Sequence, residues 1–177
     1  MDEMTAKSLF SRLKSHSIEG MVFHDQMSQY FDFLGLTGYA QMHRYHYAEE
    51  TKSYQKLVEL FFDEYDMLIP PAPMERVNVI PESWYSYHGE DVDSATIVNA
   101  ARNGMEMWVD WETKTKELFK EAYKSSDKQA VSQMAACRYM DVDEELTCAT
   151  EKYKEVQQAD YGAILSSQEN IENEYSY

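Results

Sequence analysis

The chain has 177 residues, 44% of them hydrophobic, with six glycines and four prolines, and its 32 acidic against 16 basic residues leave a net charge of −16. That length suits one domain with a sizeable core, and the composition excludes a disordered chain. The charge argues against direct nucleic-acid binding and against adhesion to an anionic membrane. No apolar run is long enough to span a bilayer, and the start MDEMTAKSLFSRLKS lacks a signal-type apolar block, so a cytoplasmic location is expected.

A first helix is predicted from about Thr5 to Leu34. Its stripe Phe10, Leu13, Ser17, Gly20, His24, Met27, Phe31, Leu34 alternates steps of three and four, which places all eight on one face. Gly35-Leu36-Thr37-Gly38 breaks it, and so short a loop makes the next helix its antiparallel neighbour. The second helix, with the stripe Met42, His46, Glu50, Ser53, Leu57, Leu60, runs to about Leu68, where Pro70, Pro71 and Pro73 stop the helical ladder. Residues 69–93 hold Val77 to Ile80 and the cluster Trp84-Tyr85-Ser86-Tyr87, which reads as a packed crossover because exposed linkers seldom carry so many aromatics.

Asp93 or Ser94 can cap a third helix reaching about Lys124, with the stripe Val98, Ala101, Met105, Trp108, Glu112, Thr115, Phe119. Ser125-Ser126-Asp127 makes a turn in which Asp127 is the next expected cap. The fourth helix carries Val131, Ala135, Arg138, Val142, Glu145, Ala149, Tyr153, Val156 and is expected to end near Gly162. The acidic tail 166–177 reads as mobile, which leaves residues 1–165 as the bundle. Cys137 and Cys148, eleven residues apart on one helix, lie about 16 Å from each other, too far to bridge, and are expected as thiols.

Every stripe turns polar near its middle, and a buried ionisable group is costly unless paired, hydrogen-bonded or bound to metal. His24, His46, Glu50, Ser53, Glu112 and Glu145 are therefore expected to form a buried polar layer. Pairing of positions across the two hairpins sets His24 beside Glu50, and Glu106 or Trp108 beside Glu145. His43 is expected to face solvent. The wall of Met105, Met107, Trp108 and Trp111 reads as core, and no phosphate loop, nucleophile elbow or zinc knuckle is present.

Two short hairpins around one connection of about 25 residues is the all-α, up-down-down-up arrangement of a ferritin-like four-helix bundle, with its long crossover between helices two and three. The sequence resembles the ferritin-like superfamily, and bacterioferritins in helix two, where Glu50-Thr51-Lys52-Ser53 is similar to the Glu-x-x-His motif. Glu145-Leu146-Thr147-Cys148 is similar to the second copy. Ser53 and Cys148 stand where the motif has histidines, and no histidine of this chain follows a glutamate by three. The resemblance implies a metal set drawn from His24, Glu50, Glu106, Glu112, Glu145 and Cys148. Iron or manganese would be its cofactor; without that set none is expected.

Three functions remain open. One is a non-enzymatic acidic protein that binds a basic protein partner, in its sharpest form a phage-type inhibitor or nucleic-acid mimic of the anti-CRISPR kind. Its contact residues would be Asp141, Asp143, Glu144 and Glu151 on helix four, with Trp84, Tyr85 and Tyr87 in the crossover. The second is a divergent di-metal oxidase or iron-handling protein, and the third a structural subunit of an assembly, with homo-oligomers among the expected states.

Overall fold

Apolar residues repeating at steps of three and four wind into long helices that bury one stripe each, and that is the secondary structure found. The computed structural model describes residues 3–70, 72–86, 92–126 and 128–175. Its helices are α1 (Glu3–Phe33), α2 (Thr37–Tyr65), α3 (Ser94–Ser125), α4 (Gln129–Gln158) and α5 (Tyr161–Glu174), with one 3-10 turn at Glu82–Ser86 and no strand among the described residues. None of the described helices is long and apolar enough to cross a membrane.

The ends follow local chemistry. Gly35 adopts φ +72°, in the left-handed region, and Leu36 N–H donates to the Phe31 carbonyl at 2.9 Å, which closes α1 with a turn that suits glycine. Asp93 caps α3 through Thr96 N–H at 2.7 Å, as its sequence position predicts. Asp127, the expected cap of α4, lies outside the described residues.

The pairs α1–α2 and α3–α4 form hairpins, and Arg12–Glu121, His16–Thr115 and His24–Glu112 contacts show α1 running antiparallel to α3. The order is therefore up-down-down-up. The crossover returns along α1: Ser11 Oγ donates to the Pro70 carbonyl at 3.0 Å, Glu75 N–H to Glu19 at 2.6 Å, and Val79 N–H to Gln26 Oε1 at 2.8 Å. Gln26 Nε2 also donates to the Val77 carbonyl at 3.1 Å, and Trp84 meets Tyr30 edge-on at 5.3 Å. This is a packed strap on α1 rather than a loose linker.

All eight positions of the first stripe, seven on α1 and Leu34 just after it, are buried. The core nevertheless falls into two apolar clusters. One end holds Leu9, Phe10, Leu13, Leu57, Phe61, Phe119, Val131 and Ala135; the other holds Phe23, Met27, Phe31, Tyr39, Met42, Met105, Trp108, Ala149 and Val156. The polar layer lies between them.

The C-terminal segment corrects the expectation of a mobile tail from residue 166 and of a helix end at Gly162. α4 stops at Gln158, Asp160 caps a new helix through Ala163 N–H at 2.8 Å, and α5 packs on α2. Ile164, Gln168 and Ile171, at helical spacing, are all buried, so a narrow apolar seam outweighs the acidic character of the segment. At the contact, Gly38 N–H donates to Gln168 Oε1 at 2.7 Å, and a Cβ at position 38 would stand 1.8 Å from the Gln168 carbonyl oxygen. Gly38→Ala should therefore lift α5 from α2 at a cost of about 1–3 kcal/mol. The check is a lowered melting temperature together with faster proteolysis in the α4–α5 connection; an unchanged cleavage rate would contradict this packing.

Candidate functional site

Midway along the bundle, α1 supplies His24, α2 supplies His43, His46 and Glu50, α3 supplies Trp108 and Glu112, and α4 supplies Arg138 and Glu145. All are buried except Glu145, whose side chain keeps 16% of its exposure. Arg138 is the hub. Its Nη1 donates to Glu145 Oε1 at 2.8 Å and its Nη2 donates to Glu50 Oε1, so one guanidinium joins carboxylates from two helices. Burial by itself would make the Arg138 guanidinium easier to deprotonate, but the adjoining Glu50 and Glu145 outweigh it and hold Arg138 charged.

The imidazoles make a second group. His24 Nδ1 and His43 Nδ1 are 2.9 Å apart, which requires one proton between them, and His24 stacks on His46 with ring centres 5.4 Å apart. Burial pushes His24 and His43 well below the ordinary histidine range, with the neighbouring imidazoles adding to the effect, and His46 is lowered by burial as well. The arrangement with fewest stranded N–H groups has His43 Nδ1–H donating to His24, which turns His24 Nε2–H toward Glu112. Glu112 is pushed well above the usual carboxyl range by burial first, then by Glu145 and Glu50, while Trp108 Nε1 donates to its Oε1 at 3.0 Å. The 3.7 Å approach of His24 Nε2 to Glu112 Oε1 is thus a contact between neutral groups, not an ion pair.

About two turns away on α1, His16 lies flat on Trp111 at 4.4 Å, and Phe23 lies nearly parallel to the same ring at 5.1 Å, so the indole is sandwiched. Thr115 Oγ donates to the Trp111 carbonyl at 2.9 Å and accepts from His16 Nε2 at 2.7 Å, which fixes the His16 tautomer. Burial lowers His16 to about 4.

Of the expected layer, His24, His46, Glu50 and Glu112 are buried and Glu145 nearly so. Ser53 stands at the edge of a 230 Å³ cavity with Leu57, Phe119, Cys137 and Arg138. Three expectations need correction. His43 is fully buried rather than exposed, because Tyr39, His43, His46 and Glu50 form their own three-four stripe into the core. His24 meets His46 and His43 rather than Glu50, which lies against Gly20. Glu106 faces solvent beside Tyr153, and Glu112 takes the place near Glu145, since the pairing of α3 with α4 is offset as in Lys116–Asp143 and Arg102–Val156. Cys148 is half-buried against the apolar cluster around Trp108.

Asp141, Asp143, Glu144 and Glu151 are all exposed, and Asp143 pairs with Lys116. Tyr85 is 68% exposed, whereas Trp84 is half-buried against Tyr30 and Phe33; Tyr87 lies outside the described residues. Arg138 and His43 are the polar-layer residues that spacing did not single out. The signal for Arg138 was its place inside the fourth stripe, where only a paired charge is tolerated.

The fold is that of a ferritin-like four-helix bundle. Among solved structures the chain is similar to an open-pore ferritin from the hyperthermophilic archaeon Archaeoglobus fulgidus, with TM-score 0.72 over 97% of each chain and 19% sequence identity. No protein-family model and no curated protein matches the sequence.

Ferritin-like di-metal centres take a glutamate from each of two helices and a Glu-x-x-His pair from each of the other two. The residues here do not fit such a centre. Both motif histidines are replaced, α1 offers an imidazole, and the Arg138 guanidinium lies between the two motif glutamates. Among the described residues, no three His, Cys, Asp or Glu side chains are disposed to hold one metal ion.

Two consequences are measurable. Glu50→Ala should cost about 3–5 kcal/mol, because it leaves a buried guanidinium short of a partner; a melting temperature equal to the parent would refute the network. The pH dependence has a definite sign. Below about pH 6.5 the unfolded chain takes up protons on His16, His24, His43 and His46 that the folded chain refuses. Glu50 and Glu112 oppose this, since their raised folded values retain protons that the unfolded chain releases above about 4.5. Arg138 and Glu145 of α4, Lys114 of α3 and Glu49 of α2 complete the facing charges. Four histidines against two carboxyls leave a net loss of stability from pH 6.5 toward 5, about 1.4 kcal/mol per pH unit for each uncompensated proton. Thermal melts at pH 7 and 5 check the direction, and His43→Gln should lessen the drop.

Proposed function

We propose that this chain is a non-enzymatic interaction protein on a ferritin-like frame, acting through its acidic surface on a basic protein partner. The observation that carries this reading is Arg138: a side chain of the protein itself supplies the cation of the mid-bundle layer and bridges Glu50 and Glu145, the two motif glutamates. Function then falls to the surface. There the net charge of −16 supplies a field that attracts basic grooves, and the last 39 residues carry ten acidic and two basic side chains. The sharpest form of the proposal is a phage-type inhibitor whose carboxylates stand in for phosphates and occupy the groove of a nucleic-acid-binding protein. The second reading, a divergent iron-handling protein, is favoured by the fold shared with an archaeal ferritin and disfavoured by the residues of the layer.

Exposed charges act mainly on encounter rates and are screened over about 8 Å at physiological salt. Charge reversal at Asp141, Asp143, Glu144 and Glu151 should slow association with a captured basic partner by about tenfold or more and flatten its salt dependence, with the melting temperature nearly unchanged. Association kinetics across a salt series measure this. Rates indifferent to both salt and the four substitutions would reject the acidic-surface reading. About two irons per chain after aerobic purification would promote the iron-handling one.

A further inference from the structure

Ser53 holds a position of the second stripe between Glu50 and Leu57, and its side chain is much smaller than either. Beside it the bundle keeps a cavity of 230 Å³, walled by Ser53 and Leu57 of α2, Phe119 of α3, and Met134 and Arg138 of α4, with the exposed Cys137 at its edge. An apolar void of about 150 Å³ takes up benzene, so this one has room for about nine non-hydrogen atoms. Arg138 supplies a polar feature. Its residue is 7% exposed, Nη1 and Nη2 are committed to Glu145 and Glu50, and Nε is buried without a hydrogen-bond partner. The guanidinium carbon stands 6.0 Å from the centre of the Phe119 ring, itself a wall of the cavity, so the charged end of Arg138 borders the space as well as its stem. A buried N–H of a charged group without an acceptor is costly, and an entering acceptor relieves that cost.

We propose that this cavity is a binding site for a small uncharged organic molecule, which places an apolar body among Leu57, Phe119 and Met134 and a carbonyl-type oxygen on Arg138 Nε–H. Charge decides the class of ligand. The single positive charge of Arg138 is already shared by Glu50 and Glu145, so an entering carboxylate would be a third anion around one cation. A cation would meet the guanidinium itself. A neutral acceptor takes a charge-assisted hydrogen bond and adds no charge to the layer. The exposed Lys56 and Asp141 at the cavity are of opposite sign, so its rim does not select an ion either. Such a site needs no protein partner, and its test and that of the acidic surface succeed or fail separately.

The probes are acetophenone, cumene and benzoate, which share an aromatic ring and present a neutral acceptor, no acceptor and a charged one. Each is titrated into the full chain, isotope-labelled at its methionine methyl groups, with the Met134 signal and the thermal midpoint as readouts. Acetophenone should shift the Met134 methyl saturably, with a dissociation constant of about 1 mM or below, and raise the midpoint. Cumene should bind about tenfold more weakly, since it lacks the hydrogen bond to a charged donor. Benzoate should shift nothing. Ser53→Leu, which fills the space, should abolish the acetophenone response; should that variant not fold, Met134→Phe fills it from α4 and is read by the thermal midpoint. Cumene binding as tightly as acetophenone overturns the proposal by leaving an apolar void alone, and benzoate binding overturns the charge selection on which it rests. No saturable shift with acetophenone, or a response that survives the filling variant, overturns the site itself.

Discussion

The buried bridge from Arg138 to Glu50 and Glu145 is the constraint around which the rest of the bundle is arranged. Two charges of one sign and one of the other lie where water is largely absent, so each carboxylate must stay within reach of the guanidinium. That requirement fixes the mutual depth of α2 and α4, which otherwise touch little. It also explains why Glu112, the third carboxyl, is held uncharged by burial and by its two neighbours, and why three imidazoles beside it are neutral. A layer of this kind adds little net stability over apolar packing, but it penalises any register that separates its partners.

The layer divides the core, and the crossover restores continuity across the divide. The strap follows α1 from Ser11 at one apolar cluster, past Glu19 near the layer, to Gln26 and Tyr30 at the other. Backbone groups at Pro70, Glu75, Val77 and Val79 bond to side chains of α1, which lets this long connection, with one 3-10 turn as its regular structure among the described residues, lie against the bundle. At the same end as the second cluster, α5 closes over the first hairpin through Gly38 and Gln168, so the C-terminal segment is part of the packed body.

A shared fold with a ferritin does not bring a shared site. The TM-score of 0.72 over 97% of each chain supports the bundle and its order of helices, which depend on apolar spacing and loop length that many sequences satisfy. A metal centre depends on a few side chains at fixed positions. In this chain two of those positions hold serine and cysteine, and a guanidinium lies between the glutamates that remain.

Sequence by itself determined the number and faces of the four long helices, the two tight hairpins, the long packed crossover and the presence of a polar layer at mid-height, because these follow from local spacing and turn chemistry. Glu50, Glu112, Glu145, His24 and His46 were legible as layer residues for the same reason. Only the tertiary structure decided which layer residues touch. The offset between α3 and α4 moved Glu106 to solvent and brought Glu112 to Glu145, and the packing of α2 buried the stripe Tyr39, His43, His46, Glu50, which turned His43 inward. Such offsets are set by how side chains from separate helices interlock, which no single helix encodes. The role of Arg138 became visible only there, since a charge inside an apolar stripe acquires its meaning from the partners that two other parts of the chain bring to it.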